Sequence, residues 1–201
     1  ITNGEVTSTI AIVRSVDTAA ATFRDMYRSL PGTMRNPSTR LSNCDSPSAC
    51  VPLPAVSDFQ NGRLEGGVDN NPALGAANDV TSGTESQAFF VQMWKADLIG
   101  GINNTQGPVF GGIYMQATIA GAGFRAGFVS AGNADTEMPG LVAPAEAIRT
   151  GHYLALFSSD LANTALSEDE SGVLTPNVAL RLDRKLDDGD PISGIVFAAD
   201  G

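Results

Sequence analysis

Basic residues are scarce in this chain: 12 Lys and Arg face 22 Asp and Glu, giving a formal charge of −10. Nowhere do the Lys and Arg gather into a local patch. Nucleic acids and anionic membranes are bound through a positive field that displaces counterions. Neither is expected as a partner, and no nucleic acid is assigned. Histidine is scarcer still, with His152 the single one. A Ser-His-Asp array needs an imidazole oriented by a carboxylate beside an activated serine. His152 instead opens an apolar stretch, and no Gly-x-Ser-x-Gly elbow occurs. Gly111-Gly112 and Gly121-Ala122-Gly123 lack the helix and the Lys-Ser/Thr of a phosphate loop, so they are turns. The chain is therefore expected to be non-catalytic and to carry no cofactor. It also lacks an internal repeat, a secretory leader and any apolar run long enough to span a bilayer. If it is exported, its targeting segment lies outside these residues.

What is present is globular. With 42% hydrophobic and 17% charged residues over 201 positions, residues 1–201 make one domain with one core. Cys44 and Cys50, the two cysteines, flank a short polar loop turned by Pro47, which points to a disulfide and an oxidising, extracytoplasmic compartment.

The strongest periodicity comes first. Val6, Ile10, Val13, Val16, Ala20, Phe23, Tyr27 and Leu30 recur at three- and four-residue steps, one apolar stripe on a helix spanning about residues 5–30. Pro31-Gly32 ends it. Such a helix is about 38 Å long at ~1.5 Å per residue. The half from Val16 to Leu30 is expected to pack on a sheet. The half carrying Val6, Ile10 and Val13 is expected to project and be buried by neighbouring subunits. Residues 31–84 follow, rich in Pro, Gly, Asn and Ser, an irregular region of surface character.

Thr84 and Gln87 then form a capping-box signal for a second helix over Ser86–Leu98, one side of it buried. Ile113–Ile119 and Phe124–Val129 are strand-like and joined by the hairpin loop 120–123. Pro144–Thr150 suits a short helix and His152–Ser158 a buried strand. Thr175-Pro176 starts a helix with Val178, Leu182 and Leu186 on one face, and Ile192–Ala198 is a last strand. The sum is α+β: a long N-terminal helix across a roughly four-stranded antiparallel sheet.

Asp183, Asp187, Asp188 and Asp190 gather around Gly189. Oxygen-rich loops of this kind can hold calcium, with Asp187, Asp188 and Asp190 as candidate ligands, but the spacing is not that of an EF-hand. The favoured reading is structural: Asp188-Gly189 ends the helix, Asp183 or Asp187 pairs with Arg184 or Lys185, and Asp190-Pro191 turns the chain. Glu168-Asp169-Glu170 is a solvated loop, and the sequon Asn103-Asn104-Thr105 is a common chance pattern.

Two segments carry a resemblance. Phe23-Arg24-Asp25-Met26-Tyr27-Arg28-Ser29-Leu30-Pro31-Gly32 resembles the end of the long helix in bacterial type IV pilin-like and type II secretion pseudopilin-like proteins. Leu182 through Gly194, with its Asp183-Arg184-Lys185-Leu186-Asp187-Asp188-Gly189-Asp190-Pro191 run, resembles a C-terminal segment of the same subunits. Glu85–Gly101, with its Trp94, resembles their middle helix. The resemblance implies a structural subunit, major or minor, packed with other pilin-like subunits in a helical filament. It also implies a cleaved leader, a methylated N-terminus and an apolar segment ahead of residue 1. That segment would anchor the protein in the inner membrane and engage the assembly machinery before it reaches the periplasm or cell surface. The alternative is a secreted or surface module that binds carbohydrate or protein through residues 31–84.

Overall fold

The structure is a computed structural model and describes residues 1–44, 50–51, 62–64, 84–103, 109–119, 121–129, 149–157, 174–190 and 193–196. These residues form a long N-terminal helix, further helices and a three-stranded antiparallel sheet, an α+β arrangement.

Helix α1 spans Asn3–Tyr27. It starts two residues earlier than its apolar stripe suggests, because Thr2 and Glu5 close a reciprocal capping box: Glu5 N–H donates to Thr2 Oγ1 at 3.2 Å and Thr2 N–H donates to Glu5 Oε2 at 2.5 Å. The Thr2 backbone donor, first among the causes, holds the Glu5 carboxyl below its ordinary value. The helix ends before Leu30, at Arg28, whose left-handed backbone (φ 53°) forms the cap. Helix α2 is the single turn Pro37–Arg40. Its Arg40 guanidinium lies over the Tyr27 ring and donates to Tyr27 O at 2.5 Å, placing positive charge on the orphan carbonyls at the end of α1.

Helix α3 spans Glu85–Lys95, and the Thr84–Gln87 capping box is present in both directions. Every residue from Glu85 to Met93 is buried, not one side alone. The helix is enclosed because it packs on strand β2 (Gly123–Val129) with one side and on α1 with another. Ser86 Oγ donates to Ala126 O at 2.6 Å across that contact. Thus α3 is the helix seated on the sheet, while α1 lies against α3 and the last helix. Val16, Ala19 and Phe23 of α1 share one core with Phe124 and Ala126 of the sheet.

Strand β2 is central, between β1 (Met115–Gln116) and β3 (Gly151–Phe157). Its register runs from Gly123 opposite Phe157 to Val129 opposite Gly151, and all seven of its residues are buried. The Phe110 ring fills the space a Cβ on Gly123 would need. Strand β1 is far shorter than Ile113–Ile119. A turn at Gly111 (φ 81°), where Gly111 N–H donates to Tyr114 O at 2.8 Å, draws the chain out of the ladder before Met115. Strand β3 lies one residue earlier than the His152–Ser158 read from the sequence, and it is half-buried, with His152 exposed, rather than buried.

Helix α4 spans Pro176–Leu186, with Thr175 at the N-cap and Pro176 in the first turn. The strand expected over Ile192–Ala198 is not formed at 193–196, where the chain turns at Gly194 (φ 75°). The helix expected at Pro144–Thr150 lies outside the described residues except Arg149 and Thr150, which are not helical. Glu168-Asp169-Glu170 and most of residues 31–84 also lie outside them. The described part of that region contributes to both core and surface: Met34, Leu41, Cys44, Cys50 and Leu64 are buried in the main core, while Arg35, Asn36, Ser42, Asn43 and Arg63 are exposed.

Candidate functional site

The candidate surfaces are organised by α1, and its two halves are covered differently. Val16, Ala19 and Phe23 enter the main core with Met34, Phe90 and Met93. Val6 and Ile10 form a second cluster with Val178 and Leu182 of α4, with Leu174 and Leu186 packed around it. This corrects the expectation that Val6, Ile10 and Val13 are left for neighbouring subunits. Val6 and Ile10 are 0% and 5% exposed within the chain itself, and Val13 is half-buried against the main core. The reason is that α4 presents a matching apolar stripe, and pairing the two removes both from water at ~1.5–3 kcal/mol per side chain. Arg181 donates to Asn3 Oδ1 at 3.2 Å and Lys185 to Thr7 Oγ1 at 3.1 Å along the rim of that contact.

The face of α1 that turns away from these clusters carries a row of small residues beside the exposed Arg14 and Asp25. Ala11, Ser15 and Thr18 are exposed on it, with Thr22 half-buried in the same row. Thr18 Oγ1 donates to Arg14 O and Thr22 Oγ1 to Thr18 O, each at 2.8 Å. Those hydroxyls are satisfied within the helix and require nothing from a neighbour.

Where α1 ends, Gly32 (φ 90°) lies against the Glu85 carbonyl and 2.8 Å from Leu64 Cδ2 at its virtual Cβ, so no side chain fits there. Gly32 N–H donates to Gln92 Oε1 at 2.6 Å, and Gln92 Nε2 donates to Cys50 O at 3.0 Å. One wholly buried amide therefore ties the Pro31-Gly32 junction to the Cys44–Cys50 loop, and Cys44 and Cys50 are joined as a disulfide. Nothing in the sequence marked Gln92, which follows the apolar run Ala88–Val91 as one of five polar or charged residues in α3.

Arg125 was missed too. It is 2% exposed in the middle of β2, with its guanidinium 4.9 Å from the Phe157 ring centroid and 5.5 Å from that of Tyr114. Burial, partly offset by Arg125 and Gln87, raises the Tyr114 phenol above its ordinary value.

The acidic cluster is rebuilt by its own turn. Asp187 Oδ2 accepts from Ile195 N–H and from Val196 N–H, the latter at 3.2 Å. Asp188 accepts from Asp190 N–H at 2.8 Å and from Ser193 Oγ at 2.7 Å. Ser193 and then Asp190 N–H hold the Asp188 carboxyl below its usual value. The pairing of Asp183 or Asp187 with Arg184 or Lys185 is not formed, since Lys185 reaches Thr7. Asp190, the third calcium candidate, is exposed and outside the closest carboxylate group, which is Asp183, Asp187 and Asp188.

His152 stands on the surface with its ring edge-to-face against Phe128 at 5.3 Å. Burial against its neighbours lowers the imidazole pKa. Among the described residues it has no hydrogen-bonded serine or carboxylate. No family model, curated protein or solved structure matches this chain. No described helix is long and apolar enough to cross a membrane.

Proposed function

We propose that this chain is the extracytoplasmic part of a structural subunit in a type IV pilus- or type II secretion-type filament, with α1 as the element along which subunits stack. The observation that carries the reading is the two-sided character of α1. One side is buried by α3 and α4, and the other exposes a row of small residues, Ala11, Ser15 and Thr18, with the Thr18 hydroxyl satisfied within the helix. Small residues let helix backbones approach closely, and repeated head-to-tail contacts of one such face generate an open helical assembly. At 25 residues, α1 offers about 37 Å of that face at ~1.5 Å per residue.

The resemblance of Tyr27–Gly32 and Asp183–Gly194 to pilin-like subunits supports the same reading. Both segments end on glycines that the packing needs, Gly32 against the Glu85 carbonyl and Gly194 against the Asp187 carboxylate. The finer pilin-like arrangement, a sheet of four strands rather than three, belongs to this proposal. So do a methylated apolar segment ahead of residue 1, anchoring by it in the inner membrane, and a place in the periplasm or on the cell surface. The partners are further pilin-like subunits and the membrane machinery that adds them.

The test pairs the full-length gene product with two substitutions. A short leader ending in Gly, then an apolar run entering at Ile1, is the expected N-terminus; a conventional secretory signal overturns the reading. Ala11→Arg with Thr18→Arg should leave the melting temperature of the isolated chain unchanged yet remove the subunit from sheared filaments. Incorporation of the double variant at the wild-type level overturns the stacking role of α1.

A further inference from the structure

Four of the 12 basic residues, Arg24, Arg28, Arg35 and Arg40, fall in a stretch that holds a single acid, Asp25. Along the chain they are spaced too widely to form a run. The fold gathers them. Arg24 and Arg28 stand in the last turn and the cap of α1, where Arg28 N–H donates to Arg24 O at 2.9 Å. Helix α2 returns to the same end: the Arg40 guanidinium is 5.6 Å from the Tyr27 ring centroid and donates to Tyr27 O. Arg35 lies on the connection between the two helices, and all four arginines are exposed. Among the described residues Arg24, Arg28 and Arg35 make no ion pair.

Helix physics accounts for part of this charge. The C-terminal end of α1 is negative and favours a cation, and Arg40 on an end carbonyl supplies one. It does not account for the apolar side chain in their midst. Met26 is 58% exposed, one of three large apolar side chains left open among the described residues. Tyr27 beside it is half-buried. Arg, Met and Tyr are enriched where proteins meet, and Lys and Glu are depleted there. Residues 24–40 contain neither Lys nor Glu.

Charge shows what such a surface meets. Residues 24–40 carry +3, which leaves −13 for the remainder of a chain whose total is −10. Each copy thus has one cationic end and an acidic remainder. We infer that the end of α1, with Arg24, Met26, Arg28, Arg35 and Arg40, docks on the acidic surface of a second copy of this chain. The two surfaces differ, so the contact is head-to-tail, and its repetition gives an open chain rather than a closed dimer. Complementary charge sets the orientation of the incoming copy, and Met26 supplies an apolar centre. At ~0.1 M salt charges act over only ~10 Å, so facing surfaces attract while the net charges of the two copies are screened from each other. A nucleic acid suits this end less well, because −13 surrounds it. The inference rests on the filament reading for its partner, and its contact is separate from the row of Ala11, Ser15 and Thr18.

The test is sedimentation equilibrium of the purified chain at concentrations up to about 1 mM. It is run in ~0.1 M and ~1 M salt, between which the Debye length falls from ~10 to ~3 Å. Expected is a weight-average mass that climbs with concentration without levelling at a dimer, and association at least about fivefold weaker in the higher salt. Arg28→Gln with Arg35→Gln should abolish the climb at an unchanged melting temperature, and Met26→Ser should weaken it. Arg149→Gln with Arg184→Gln removes the same charge elsewhere and should leave it intact. A monomer at every concentration, a closed dimer, indifference to salt, or equal loss in the two double variants overturns the contact. So does binding of a single-stranded DNA oligonucleotide that Arg28→Gln with Arg35→Gln abolishes while the chain alone stays monomeric. Failure here leaves the N-terminal leader test of the filament reading standing, so the two fail separately.

Discussion

The two halves of α1 carry the same apolar stripe and are buried in opposite ways. The C-terminal half is surrounded: Phe23 lies 4.6 Å from the Tyr27 ring, with Met34, Phe90 and the disulfide in the same core and Gln92 locking the junction beyond it. The N-terminal half depends on one partner, α4, and on a cluster of four buried residues with a polar rim. A helix that looks uniform in sequence is thus a rigid segment joined to a conditional one. Hydrophobic patterning sets that a face will be covered, not what covers it.

The comparison is broken most severely at Gln92. Gln92→Leu leaves Gly32 N–H buried without its acceptor, at ~1–3 kcal/mol, and removes the Gln92 bond to Cys50 C=O, at ~0.5–1.5 kcal/mol. A loss of about 1.5–4.5 kcal/mol in denaturant unfolding is expected, and an unchanged midpoint would show that the junction is not held by this amide. Leu182→Ala strikes the other half. It should cost about 2–3 kcal/mol, with faster hydrogen exchange at Val6–Ile10 and in α4 while α3 stays protected. If α3 opens equally, the two halves are one cooperative unit.

Removing the disulfide sharpens the contrast from the rigid side. The Cys44→Ser, Cys50→Ser chain is expected to lose about 2 kcal/mol, the chain-entropy value for so short a loop. Its α4 amides should exchange as before. The smallest effect is at His152. Its folded pKa lies below the unfolded value of ~6.5, so the unfolded chain binds more protons as the pH drops. Its contribution to stability is therefore complete above pH ~6.5 and declines as pH falls through that value. In His152→Gln this part of the slope should vanish from a plot of unfolding midpoint against pH.

The features legible in the sequence were those with local causes. The Thr84–Gln87 box, the Thr175-Pro176 start, strand β2 and the Cys44–Cys50 bridge are each specified within a few residues. What stayed hidden was long-range. The stripes of α1 and α4 were both visible, but nothing local says that Val6 meets Val178. The apolar Ile195 and Val196 suggest a strand until the Asp187 carboxylate takes the N–H groups a ladder would use. Asp183 gave no sign that it alone of its cluster is buried, and Arg125 looks like a solvent-facing residue of an alternating strand.

Asn3 and Arg181 touch across 178 positions of sequence. Helix α1 therefore leaves the ribosome long before the helix that covers its leading half. At ~5–20 residues per second that wait is on the order of ten seconds or more. Throughout it, Val6 and Ile10 stay open to whatever other apolar surface comes near. For this chain, order of synthesis and order of burial run opposite ways.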